Sequence, residues 1–195
     1  CTACRMRLTS AAVRRWAAAR GWVDVPDQGR HAHGRPVPFG GGVAAWGAFW
    51  GMASLAFFVL PDLFRSISVT ERWGFFGASL VLLAVGTIDD RRGLSPRWLA
   101  VGTALAVALA VASGIRVEEL SHPFGGVLRL SPSVSVLVSA FWLLACTGAT
   151  KFSDGLDGLV AGQTVIGAAL VAGLCLTAAF FQPDIALLAA LFGGS

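Results

Sequence analysis

Five stretches of this chain, residues 40–60, 73–88, 98–114, 133–149 and 159–181, are almost continuous runs of apolar residues and glycine. Each reaches or approaches the roughly 17 to 20 residues a helix needs to cross the hydrocarbon of a bilayer. A sixth run begins near Ile185 and meets the end of the sequence. Charged residues make up 13% of the chain, about half the share of a soluble domain. The expected fold is an all-α polytopic membrane protein with five complete transmembrane helices and the start of a sixth. The run 73–88 is short and predicts local bilayer thinning or polar flanks. The chain begins at Cys1 and stops at Ser195 inside an apolar run, so a fragment of a larger helical bundle is expected. It forms one transmembrane domain over 1–195, truncated at both ends, with a basic segment and loop (1–39) ahead of the helices and loops of 40–195. No signal peptide is visible, because residues 1–20 are arginine-rich and lack an apolar core. The Cys1–Cys4 pair has no companion that would complete a zinc set, and Cys146 and Cys175 lie inside apolar runs.

Lysine and arginine divide unevenly between alternate loops. Residues 1–39 hold Arg5, Arg7, Arg14, Arg15, Arg20, Arg30 and Arg35; loop 89–97 adds Arg91, Arg92 and Arg97, and Lys151 follows the fourth run. The opposite loops hold Arg65, Arg72, Arg116 and Arg129. The positive-inside rule places the first group in the cytoplasm. Residues 9–20 read as a basic helix and 21–39 as an ordered loop rich in Pro, Gly, His and Arg. On the outer side, Ile115–Leu120 and Gly126–Leu130 read as the strands of a small β-hairpin.

Two acidic pairs end up on the cytoplasmic side. Asp89 and Asp90 close the second run; Asp154 and Asp157 open the fifth, interleaved with Gly155 and Gly158. Carboxylates at the edge of hydrocarbon are costly and mark sites for cations, phosphates or protons. Adjacent carboxylates repel and favour a cation beside them. Mg²⁺, with Mn²⁺ as the alternative, prefers oxygen ligands and bridges to substrate phosphates. Asp154 and Asp157 share a face if helical, and the glycines permit close backbone approach to a ligand. The plainer reading is that Asp89 and Asp90 end a helix and pair with nearby arginines, while Asp154 and Asp157 form a cap and a turn. The stretch from Asp24 to Gly42 gathers Arg30, His31, His33 and Arg35 among prolines and glycines. It suits anionic phosphates, or equally a basic patch against anionic lipid.

Taken together, these segments resemble the polyprenyl-phosphate N-acetylhexosamine-1-phosphate transferase superfamily. Its members include phospho-N-acetylmuramoyl-pentapeptide transferase and the undecaprenyl-phosphate N-acetylglucosamine-1-phosphate transferases. The resemblance rests on Asp24-Val25-Pro26 with Arg30-His31-Ala32-His33, Pro38 and Gly41-Gly42. It continues in Gly86-Thr87-Ile88-Asp89-Asp90 with Gly93-Leu94-Ser95-Pro96-Arg97, and in Asp154-Gly155-Leu156-Asp157-Gly158-Leu159. Where the family carries paired asparagines, this chain has Gly148 and Lys151. The resemblance implies transfer of a sugar-1-phosphate from a UDP-sugar to a polyprenyl phosphate, releasing UMP, for cell-envelope synthesis. It implies Mg²⁺ as cofactor, held by Asp90 and Asp154, with Asp89, Asp90, Asp154 and Asp157 as the catalytic carboxylates. Lys151, Arg30, His33, Gly155 and Gly158 are the implied substrate-binding residues; separately, Lys151 stands three residues before Asp154, a spacing that lets the two pair on one helical face. The partners implied are polyprenyl phosphate, the UDP-sugar and membrane lipids, without nucleic acid, and a homodimer is compatible with the fold. The implied location is the inner (plasma) membrane with the active face cytoplasmic.

Two other classes compete. A non-catalytic homologue, or a transporter, would bind lipid phosphate without chemistry; a transporter predicts polar residues at mid-membrane rather than at helix mouths. CDP-alcohol phosphatidyltransferases also use Asp-Gly motifs but need further aspartates along the next helix, and residues 158–175 contain neither Arg nor Asp.

Overall fold

The computed structural model describes residues 23–24, 37–38, 41–121, 126–153, 159–177 and 181–194. It divides into two compact units, residues 65–163 and residues 1–64 with 164–195.

Residues 65–163 are built on three successive helices, α2 (Val69–Arg92), α3 (Pro96–Ala112) and α4 (Pro132–Ser153). Helix α2 starts earlier and ends later than its apolar run. Ser68 and Glu71 form a reciprocal cap: the Ser68 hydroxyl accepts the Glu71 N–H at 3.1 Å, and the Glu71 carboxylate accepts the Ser68 N–H at 2.8 Å. At the far end Gly93 adopts a left-handed φ of 59° and donates its N–H to the Asp89 carbonyl at 2.8 Å. The resulting 24 residues span about 36 Å at 1.5 Å per residue. Of the two accommodations expected for the short apolar run, the structure shows the polar flanks: polar turns extend the helix past the run at both ends.

Three residues, Gly93–Ser95, separate α2 from α3, so the two helices must run antiparallel. Pro96 occupies the first turn of α3, where its missing N–H costs nothing. The helices approach closely along a stripe of small residues. Ala78 of α2 packs with Ala106 and Ala110 of α3, and Val81, Ile115 and Leu143 close the cluster. Gly102, Ala106 and Ala110 recur every four residues and so lie on one face of α3. A Cβ on Gly102 would stand 2.5 Å from Val85, and one on Gly74 would overlap the Ser113 side chain. Without water to drive apolar surfaces together, such close backbone packing is what associates helices in lipid. The remaining face of α3 carries Trp98, Val101, Leu105 and Leu109, all exposed, as suits contact with acyl chains.

Between α3 and α4 lies the expected hairpin, but its strands are shorter than the sequence suggests: β3 (Glu119–Ser121) and β4 (Val127–Arg129), antiparallel with Glu119 opposite Arg129. Ile115–Val117 were expected in the first strand. Instead, the Val117 N–H donates to Ser139 Oγ at 2.8 Å, and the Val117 carbonyl accepts from Ser135 Oγ at 2.7 Å. Both serines are buried on α4. The backbone groups of Val117 are thus consumed by a helix rather than by a partner strand.

In the other unit, α1 (Gly41–Val59), a 3₁₀ turn (Pro61–Phe64) and α6 (Pro183–Gly193) pack through aromatic rings. Phe49 meets Phe192 edge-on at 5.8 Å, and Phe57 meets the buried Phe64 at 4.5 Å. A two-residue ladder pairs β1 (Val23–Asp24) with β2 (Val37–Pro38). Helix α5 (Leu159–Cys175) stops six residues before the end of its apolar run. The Gln182 N–H donates to the Cys175 carbonyl at 2.8 Å, and α6 starts at Pro183, near Ile185 as expected.

Among the described residues three helices, α1, α2 and α4, are long and apolar enough to cross a membrane, and α3, α5 and α6 are shorter apolar helices. The protein is an all-α polytopic membrane protein with small strand pairs at its loops. The hydroxyls of Ser79, Thr87, Thr103, Thr147 and Thr150 each donate to a carbonyl of their own helix, three or four residues back. No polar path of unsatisfied hydroxyls therefore runs through α2, α3 and α4 among these residues.

Candidate active site at one end of the helical unit

Because α2 and α4 are both antiparallel to α3, their C-terminal ends share one side of the unit with the N-terminus of α3. That side carries Asp89, Asp90, Arg91, Arg92, Arg97 and Lys151. A helix C-terminus presents unsatisfied carbonyls and a partial negative charge. An aspartate there is unfavourable unless a cation accompanies it.

Lys151, in the last turn of α4, supplies the cation. Its Nζ donates to Asp89 Oδ2 at 3.0 Å. The other carboxylate oxygen, Oδ1, accepts the Leu94 N–H at 2.9 Å. Asp89 is thus held through both carboxylate oxygens and, by way of Gly93, through its own carbonyl. Its side chain is 25% exposed, against 55% for Lys151. Asp89 lies past the apolar run 73–88, in the final turn of α2. The hydrogen bond from Lys151 holds its carboxyl below the ordinary aspartate value; partial burial opposes this, and the Leu94 N–H adds to the lowering. Asp90, one residue on, is exposed.

Of the residues expected in the site, the structure brings together Asp89 and Lys151, with Asp90 beside them. Lys151 pairs with Asp89, 62 positions away; the expected pairing with Asp154 lies outside the described residues. Asp154, Gly155, Asp157, Gly158, Arg30 and His33 lie outside the described residues, as does the basic segment 9–20. The elements that flank the Asp154–Asp157 motif in sequence are described: α4 ends at Ser153 and α5 begins at Leu159. Leu94 was not singled out from sequence. Its contribution is a backbone N–H, which no side-chain pattern advertises, although Gly93 and Pro96 signal the turn that presents it.

Carboxylate oxygens are the right donors for a hard divalent cation. Asp89 and Asp90 both supply such oxygens, and each oxygen of Asp89 already accepts a hydrogen bond. Among the described residues, no group of three or more His, Cys, Asp or Glu is clustered for metal binding.

The family model for glycosyl transferase family 4 matches residues 72–194, which takes in Asp89, Asp90, Lys151 and the 154–158 connection. This chain belongs to glycosyl transferase family 4. A similar curated member of the family is the decaprenyl-phosphate N-acetylglucosaminephosphotransferase of Mycobacterium tuberculosis strain H37Rv, 34% identical over 161 residues, or 80% of this chain and 39% of that protein. The undecaprenyl-phosphate alpha-N-acetylglucosaminyl 1-phosphate transferase of Thermotoga maritima is 31% identical over 77% of this chain and 42% of its own length. The phospho-N-acetylmuramoyl-pentapeptide-transferase of Lactobacillus gasseri is 42% identical over a shorter stretch, 35% of this chain and 21% of its own. The chain therefore spans about two fifths of the length of the first two relatives. No solved structure matches it. Within this family 4 chain, the end of the unit where α2, α3 and α4 meet is the candidate active site.

Proposed function

We propose that the protein to which this chain belongs transfers an N-acetylhexosamine-1-phosphate from a UDP-sugar to a polyprenyl phosphate, giving a polyprenyl-diphospho-sugar and UMP. The observation that carries this reading is the convergence of Asp89, Asp90 and Lys151 on one helix end, next in the chain to the Asp154–Asp157 connection. The names of the relatives supply the substrate classes. A phosphate acceptor anchored in lipid must be met at the membrane surface, where these charges lie. The cytoplasmic orientation rests on residues 1–39: within residues 65–163 the basic residues divide equally, with Arg91, Arg92, Arg97 and Lys151 at the active end and Arg65, Arg72, Arg116 and Arg129 at the other. Seven further arginines in residues 1–39 tip the balance toward a cytoplasmic active face in the plasma membrane.

The residues divide the work by charge. Lys151 and the Leu94 N–H fix Asp89 in one orientation, so that its carboxylate can orient the acceptor phosphate without rearranging. Asp90 and Asp154 would hold Mg²⁺ or Mn²⁺, which when bound would neutralise the donor pyrophosphate. Asp157, Gly155 and Gly158 contribute to the donor pocket, the glycines by allowing close backbone approach. Arg30 and His33 are assigned to phosphate on the strength of the motif they sit in. A non-catalytic or transport role is less well supported, because the described carboxylates Asp89 and Asp90 lie at a helix end and the hydroxyls of Ser79, Thr87, Thr103, Thr147 and Thr150 bond within their own helices.

The test is UMP release by the purified full-length protein in detergent, given polyprenyl phosphate, Mg²⁺ and a panel of UDP-N-acetylhexosamines. Release that depends on both substrates is expected. Its absence with every donor in the panel, from protein that remains folded, overturns the proposal.

A further inference from the structure

The first turn of α3 carries a cation that the candidate active site does not use. Arg97 is exposed, and among the described residues it enters no ion pair. It stands nine positions before Ala106, which is two and a half turns at about 3.6 residues per turn. Arg97 therefore lies on the face of α3 opposite Ala106, which is 1% exposed in the cluster shared with Ala78 of α2 and Leu143 of α4. The arginine is turned away from both neighbouring helices. Beside it runs the exposed row Trp98, Val101, Leu105 and Leu109. From Trp98 to Leu109 is about 17 Å along the axis, close to one leaflet of a hydrocarbon core about 30 Å thick. Tryptophan favours the headgroup level, and an arginine there lays its stem on apolar surface while its guanidinium reaches the polar layer. Along this face the order is cation, tryptophan, then three turns of aliphatic side chains. A phospholipid presents the complementary order of charged headgroup, interface and acyl chain. We infer that this face of α3 is a docking site for an anionic phospholipid of the bilayer, with Arg97 on the headgroup phosphate and the acyl chain along the row from Trp98 to Leu109. The guanidinium suits a phosphate, which it can engage through two N–H groups at once. Because the face points away from α2 and α4, the site is separate from Asp89 and Lys151.

The inference needs the membrane character of the chain and not the transferase reading, and its test requires no turnover. A bimane fluorophore is attached at Val101→Cys in the full-length protein, with its native cysteines replaced by serine, and the protein is placed in lipid nanodiscs. Quenching by phosphatidylglycerol with a nitroxide on its acyl chain is compared with quenching by the matching phosphatidylcholine. Phosphatidylglycerol is expected to half-quench at an about fivefold lower mole fraction, the worth of one arginine at an anionic surface. Arg97→Gln is expected to remove that preference. Arg92→Gln is expected to keep it: Arg92 stands 14 positions after Ala78, just under four turns, and so removes the same charge from the α3-facing side of α2. Phosphatidylglycerol retained by the protein with its cysteines intact, counted by native mass spectrometry, should rank the wild type and Arg92→Gln above Arg97→Gln, so the question is answered even if the cysteine-free protein folds poorly. Equal quenching by the two lipids, a preference that survives Arg97→Gln or is lost equally in Arg92→Gln, or a native mass spectrum without that ranking overturns the inference. So does the absence of quenching by either lipid, which would mean that protein covers this face. Loss of phosphatidylglycerol quenching on adding a small mole fraction of polyprenyl phosphate also overturns it and gives the site to the acceptor.

Discussion

Val85 on α2 fills the space beside Gly102 on α3, so that a single added methyl at 102 would lie 2.5 Å from the valine side chain. The α2–α3 interface is set by that absence of a side chain, and the neighbouring Ala106 and Ala110 continue it toward the hairpin. Gly102→Ala is expected to overpack the contact and to lower stability by about 1–3 kcal/mol, read as a fall in the thermal midpoint in detergent. Val85→Ala combined with Gly102→Ala recovers most of the loss if the clash is the cause.

Ser139 is expected to matter for stability and not for chemistry. Its buried hydroxyl accepts the Val117 N–H at 2.8 Å, and Ser139→Ala leaves that N–H without its partner. The cost of an unsatisfied buried group is about 1–3 kcal/mol. Thermal unfolding should show it, while the Michaelis constants of the surviving folded enzyme stay at wild-type values, because the contact lies at the end of α4 opposite Lys151.

Gly93 is expected to act through the backbone alone. Its φ is 59° and nothing lies within 4 Å of a built Cβ, so Gly93→Ala carries the left-handed penalty of about 1–2 kcal/mol and no clash. Gly93→Asn should be milder, since asparagine tolerates that conformation. The turn also presents Leu94 N–H to Asp89, so the loss in UMP release should rank Ala above Asn.

The Lys151–Asp89 pair is expected to be worth little in stability and more in rate. Half-exposed ion pairs contribute about 0.2–1 kcal/mol, so a double-mutant cycle on unfolding should return a coupling in that range. Lys151→Ala should nonetheless lower kcat/KM for UMP release by about ten- to a hundredfold, the scale of a misoriented reacting group. Lys151→Asn tests whether an amide can restore that orientation.

Chelation is expected to abolish transfer. UMP release in excess EDTA should fall to background and return on adding Mg²⁺ or Mn²⁺, because a pyrophosphate at a carboxylate-rich helix end needs a bridging cation. Full activity in chelator would remove the metal from the proposed mechanism.

Hydropathy located α1 and α4 to within a few residues, because their apolar runs end where charge or a turn begins. It misjudged α2, whose end turns are polar yet helical. The reciprocal cap of Ser68 and Glu71 starts the helix four residues ahead of the apolar run and outweighs the polarity of Thr70, Glu71 and Arg72. It misjudged α5 in the other direction, since the helix ends at Cys175 although residues 176–181 continue the apolar run, and apolarity alone does not keep a chain helical. The hairpin was legible in place and not in extent, because Ser135 and Ser139, far along the chain, claim the backbone groups of Val117. In the candidate site, alternation of the loops was enough to put Asp89 and Lys151 on one side. Their pairing was not legible, since from sequence the nearer acid, Asp154, competes for the same lysine and only the packing of α3 between α2 and α4 brings the distant one within reach.

The short turn between α2 and α3 also sets an order of events at the ribosome. Contacts between neighbouring helices are local in sequence and form early, so this helical pair can enter the bilayer already joined. Lys151 is 62 positions behind Asp89, and at synthesis rates of about 5–20 residues per second it emerges some 3 to 12 seconds later. Until then Asp89 stands at its helix end without that counter-charge. Synthesis thus joins the α2–α3 pair before it supplies the lysine that neutralises its charged end.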